Sequence, residues 1–162
     1  MRKQFLAVVA STAALVLMTA GSSHAQSKDP WVGIWKVNLE KSTYDPGPKP
    51  TVPADVKIES APNGMKTTID GVNPQGEKTH TETVAAFDGK DYPVKGGPNP
   101  DATSTLKRID ARSFENQAKV GGKATVTTRI AISPDGKTLT ATQSGTNAQG
   151  QAVKNVIVAE RQ

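Results

Sequence analysis

Phe114-Glu115-Asn116-Gln117-Ala118-Lys119-Val120, then Gly121-Gly122-Lys123, then Ala124-Thr125-Val126-Thr127-Thr128-Arg129-Ile130-Ala131-Ile132 is the stretch that decides the fold class. In the first run Phe114, Asn116, Ala118 and Val120 share one face, and Glu115, Gln117 and Lys119 share the other. In the second, Ala124, Val126, Thr128, Ile130 and Ile132 alternate with Thr125, Thr127, Arg129 and Ala131. A period of two with one apolar face belongs to a strand buried on one side. The glycine pair between the runs supplies the positive φ of a tight hairpin, so the two strands pair antiparallel.

Working outward, the same grammar repeats. Pro62-Asn63-Gly64, Asn73-Pro74-Gln75-Gly76, Asp88-Gly89-Lys90, Pro134-Asp135-Gly136-Lys137 and Asn147-Ala148-Gln149-Gly150 separate short runs rich in Thr, Val and Ile. Strands are predicted over 32–39, 55–61, 65–70, 77–87, 91–94, 103–109, 112–120, 124–133, 138–145 and 152–160. None of these turns is long enough for a crossover helix, and no segment after residue 26 carries a helical stripe. The fold class that follows is all-β: a single antiparallel up-and-down meander of 8–10 strands in a closed or nearly closed barrel. Gly71 to Gly76 echoes Gly145 to Gly150 in Gly, Asn, Gln and Gly at matching places. Either an old duplication or one turn problem solved twice accounts for it.

The first 25 residues have another logic. Arg2 and Lys3 precede an uncharged apolar run from Phe5 to Ala20, and Ser23-His24-Ala25 sets small residues where a signal peptidase needs them. Cleavage is expected between Ala25 and Gln26. The apolar run is shorter than the ~20 residues that span a bilayer, so no stable membrane insertion is expected after cleavage. The chain contains no Cys, which excludes a lipid-anchored lipoprotein, disulfides, thiol nucleophiles and Cys-ligated zinc. Residues 26–162 are therefore expected as one periplasmic or secreted bacterial domain.

Charge and chemistry exclude more. The net charge of +5 falls to +3 without Arg2 and Lys3, too mild and too dispersed for a nucleic-acid partner. His80 is the one histidine left after cleavage, so no multi-His metal site forms within the chain. Its strand neighbours on the same face include Glu82, but the opposite face carries Ala85 and Phe87, which puts the imidazole on the wet side. No triad, spaced carboxylate pair or phosphate-binding loop is present. The expectation is a non-enzyme with no catalytic residues, no metal and no cofactor.

Leu, Ile, Val and Phe make up 24 of the residues after Ala25, a slim supply for a core. A barrel suits it, because only one side chain in two points inward. Thr67, Asn116 and Thr128 interrupt otherwise apolar faces. They mark either a partly polar, hollow interior or positions near the barrel ends that meet solvent. Residues 40–54 hold Pro46, Pro48, Pro50 and Pro53 and read as a long, partly mobile surface loop. Tyr44 in that loop and Tyr92 in Asp91-Tyr92-Pro93-Val94 are candidate mouth residues. With Asn116 and Thr128 they form the candidate ligand-binding set.

One motif carries a family resemblance. Gly33-Ile34-Trp35 is a G-x-W at the start of the first predicted strand, and Arg161 ends the last. The pair resembles the signature of the calycins, the lipocalins and fatty-acid-binding proteins. The resemblance implies that Trp35 closes one end of the barrel while Arg161 packs across its ring, with Gly33 beside them, tying the chain ends together. About ten strands is similar to the fatty-acid-binding branch. The two short helices that follow the first strand there are replaced here by the Pro-rich loop, and the interior Arg and Tyr that grip a carboxylate have no counterpart. The overall pattern also resembles small lipocalin-like proteins secreted by bacteria. The function implied is the binding of a small hydrophobic or amphipathic ligand in the barrel. The alternative is a filled barrel acting through its outer surface as an envelope structural or interaction protein.

Overall fold

The hairpins foreseen from the turns close on themselves. A computed structural model describes residues 29–73, 75–147 and 150–162; the expected signal segment and its cleavage point lie outside them. Ten strands are formed among the described residues: β1 Gly33–Val37, β2 Asp55–Ala61, β3 Gly64–Val72, β4 Lys78–Ala86, β5 Tyr92–Lys95, β6 Ala102–Asp110, β7 Ser113–Val120, β8 Lys123–Ile132, β9 Thr138–Thr146 and β10 Ala152–Arg161. Each pairs antiparallel with its sequence neighbour, and β1 pairs with β10 to close the barrel. No helix occurs among the described residues. This is a closed up-and-down antiparallel barrel. Closure removes every exposed sheet edge, which suits a chain with little apolar residue to spare.

Successive connections fall at opposite ends in such a topology. One end carries the segment before β1, the short turns after β2, β4, β6 and β8, and the last residues of β10. It is sealed by aromatics. Trp31 and Trp35 are 1% and 0% exposed. The Trp31 ring stands edge-on to Phe114 at 4.8 Å, and Phe87 meets Phe114 at 5.5 Å. The guanidinium of Arg108 lies 3.8 Å from the centre of the Phe87 ring. Ile58, Met65, Leu106, Ile130, Ile132, Leu139 and Ala159 complete this core.

The latch between the chain ends is present. Trp35 and Arg161 are direct register partners across β1 and β10, and the Arg161 guanidinium carbon sits 4.3 Å from the centre of the Trp35 ring. Arg161 also donates to the Gly136 carbonyl through Nε and to the Val32 carbonyl through Nη1, each at 2.8 Å, and to the Pro30 carbonyl through Nη2. The indole N–H of Trp35 donates to the Trp31 carbonyl at 3.0 Å. Gly33 is small for a steric reason: a Cβ there would stand 2.6 Å from Arg161 Nη1. Because three carbonyls hold that guanidinium, it cannot swing away without loss.

The other end carries the 38–54 connection and the turns after β3, β5, β7 and β9. The two echoing segments both fall here. Asn73 and Asn147 each accept from the backbone N–H four residues on, Glu77 and Gln151, at 2.9 Å. Each also donates its own amide to that residue's side chain. The shared Asn thus makes the same bonds in both turns. The first half of the Pro-rich stretch is tied onto β10 rather than free. Thr43 exchanges backbone bonds with Val156 at 2.8 and 3.0 Å, and Lys154 N–H donates to the Asp45 carbonyl at 2.8 Å. The Ser42 hydroxyl, 3% exposed, accepts from Val158 N–H at 2.9 Å and donates to the Asn38 carbonyl at 2.7 Å.

Candidate ligand site in the barrel interior

Small side chains on the inner face leave the barrel hollow above its aromatic seal. The cavity has a volume of about 440 Å³. That lies within the range of roughly 300–1,000 Å³ typical of small-molecule sites. Its floor is Phe114, Leu106, Ile58, Met65, Ile130 and Leu139, and its apolar wall is Val37, Val56, Ile69 and Ile157. Ala54, Ala141 and Ala159 widen it, since each takes an inward position that a larger residue would fill.

Three of the cavity's polar side chains form one arc of the wall. Asn116, Thr128 and Gln143 all line the cavity and stand in one row across β7, β8 and β9, because Asn116 is the register partner of Thr128 and Thr128 of Gln143. The row continues to Asn155 on β10, whose amide donates to Gln143 Oε1 at 2.9 Å. At its other end the Asn116 amide donates to Ser104 Oγ at 2.5 Å. These two bonds fix both amides. They leave the Asn116 carbonyl and its second amide N–H, the Thr128 hydroxyl and the Gln143 NH2 group as unspent hydrogen-bonding capacity of the arc. Thr67 and Thr83, partners across β3 and β4, add two hydroxyls on another part of the wall.

At the mouth stand Tyr44 and Pro50 from the 38–54 connection. Burial pushes the Tyr44 phenol above its ordinary pKa, against a smaller lowering from a hydrogen bond with Ser42, so it is neutral at physiological pH. The connection is joined to the arc: Asp45 N–H donates to Asn155 Oδ1 at 2.9 Å, and Asn155 holds Gln143.

Three of the four residues expected to meet a ligand, Tyr44, Asn116 and Thr128, come together around this cavity. Tyr92 does not join them. Its ring packs against the aromatic core and its hydroxyl donates to Asp88 Oδ2 at 3.0 Å. Gln143 and Thr83 escaped the sequence reading. Both lay on visible alternations, Leu139-Ala141-Gln143 and Thr83-Ala85, that carried the needed signal.

Outside the barrel, His80 is exposed and its Nδ1 lies 2.7 Å from Asp70 Oδ1. Glu82, on the same face, is committed instead to Lys66 at 2.7 Å. Among the described residues no three His, Cys, Asp or Glu side chains gather as a metal site would require.

No protein-family model matches the chain, and no curated protein does. Among solved structures, zebrafish ileal bile acid-binding protein complexed with cholic acid aligns over 82% of this chain and 99% of that one, at 13% identity and a TM-score of 0.48.

Proposed function

We propose that this chain is an exported, non-enzymatic binding protein that holds a small apolar or amphipathic molecule inside its barrel. The observation that carries the reading is the cavity of about 440 Å³ with apolar walls and a confined polar arc. A barrel acting only through its outer surface gains nothing from an empty interior, because unfilled space forfeits packing energy. Export rests on Arg2 and Lys3, the apolar run to Ala20 and the Ser23-His24-Ala25 site.

Titration with the neutral dye Nile red tests the binding reading. Saturable uptake at one dye per chain is expected, with dye emission shifted to the blue; failure to saturate overturns the reading. N-terminal sequencing of protein recovered from the periplasmic or extracellular fraction tests export, with Gln26 as the expected first residue. Full-length chain retained in the cytosol refutes it.

A further inference from the structure

The cavity is electrically neutral: among the described residues no side chain that is charged at neutral pH lines it. The inward-facing cations of the sealed end are absent from its lining and already engaged. Arg161 is spread over three carbonyls and the Trp35 ring, and Arg108 lies over Phe87. A carboxylate drawn into this space would lose its water without gaining a countercharge. It would have to take up a proton to enter.

What the wall offers instead is the Asn116 carbonyl, the Thr128 hydroxyl and the Gln143 NH2, neighbours in one row. An acceptor and a donor flank a group that is both. That set satisfies an uncharged hydroxyl as both donor and acceptor, and a carbonyl oxygen through its two donors; across the cavity Val56, Ile58, Met65 and Ile69, with the Thr67 and Thr83 hydroxyls among them, suit a mainly hydrocarbon body. We infer that the barrel selects neutral amphiphiles bearing a hydroxyl or carbonyl group, placed against Asn116, Thr128 and Gln143, over carboxylates of the same hydrocarbon length. This inference rests on the ligand-binding reading above and specifies its chemistry.

A matched pair decides it. Hexadecan-1-ol and hexadecanoate are compared by displacement of Nile red from the intact exported protein at pH 7.5. The alcohol is expected to displace the dye at least tenfold more tightly. The acid's apparent affinity should rise as pH falls toward its own pKa, while the alcohol's stays level. Thr128→Val with Gln143→Met, checked for native far-ultraviolet circular dichroism, should narrow the preference below threefold. If that variant fails to fold, the wild-type comparison decides alone. Equal or tighter binding of hexadecanoate overturns the inference and leaves the binding reading standing, as does dye uptake with displacement by neither compound. No uptake of dye, alcohol or acid overturns the binding reading and the inference together.

Discussion

Replacing Arg161 by Ala tests the closure of the barrel most directly. The change removes two part-buried charge-assisted hydrogen bonds, to Gly136 and Val32, each worth ~1.5 kcal/mol. It also removes the stack on Trp35, worth ~1 kcal/mol. The bond to Pro30 is solvent-exposed and contributes little. Side-chain freedom regained in the folded state offsets ~1 kcal/mol. The expected loss is therefore ~3 kcal/mol, read as a lower midpoint in urea unfolding with an unchanged slope. Gly33→Ala refines the test, because its Cβ would press on the same guanidinium at 2.6 Å. Alone it should cost ~2 kcal/mol. In the Arg161→Ala background only the backbone strain at φ +154° remains, ~1 kcal/mol, so the double-mutant cycle should show coupling of ~1 kcal/mol. An Arg161→Ala loss below 1 kcal/mol, or equal Gly33→Ala costs in both backgrounds, would refute the latch as described.

Three further outcomes are expected. Ser42→Ala leaves the Val158 N–H without its buried acceptor and should cost about 1–3 kcal/mol, with hydrogen exchange accelerated at Val158; unaltered exchange there argues against the bridge. Trp35→Phe forfeits the bond to the Trp31 carbonyl and should destabilise clearly more than Trp31→Phe, which removes an indole N–H with no hydrogen-bond partner among the described residues; the reverse order in thermal melts contradicts the roles given to the two rings. In the sealed-end turns, Asp110 and Asp135 have carboxyls held below the ordinary range chiefly by the Ser113 and Ser133 hydroxyls, and Asp88 by the Lys90 backbone N–H. A depressed carboxyl stabilises the fold above its unfolded pKa and ceases to as pH drops through the folded value. Unfolding midpoints should thus hold level from pH 7 to 5 and decline below about pH 4, less steeply in Asp110→Asn; identical acid profiles would exclude Asp110 as a contributor.

Much of this architecture was readable in the residues. Turn chemistry marked most of the hairpins through Gly with Asn or Asp or a Gly pair, though the Ala111-Arg112 turn between β6 and β7 carries no such signal, and the 55–61 strand falls where it was expected. Trp35 and Arg161 were legible as a pair through the family resemblance carried by the G-x-W at 33–35 and the closing Arg. Asn116 and Thr128 betrayed themselves by interrupting apolar faces. The hollow was not legible. It depends on how strands are staggered around the axis, a property of pairing register that alternation along one strand does not contain. Tyr92 stands apart from the cavity for a local reason. The turn before it folds along β6, with Gly89 N–H bonded to the Leu106 carbonyl, and the Tyr92 ring packs against the core. The anchoring of Thr43 and Asp45 on β10 was hidden because it joins segments more than a hundred residues apart.

The seal has a practical corollary. Gln162 bonds back to Ile34, on the side opposite the mouth. A fluorophore, affinity handle or fused partner joined after Gln162 would hang beneath the vessel, leaving traffic through its opening unobstructed.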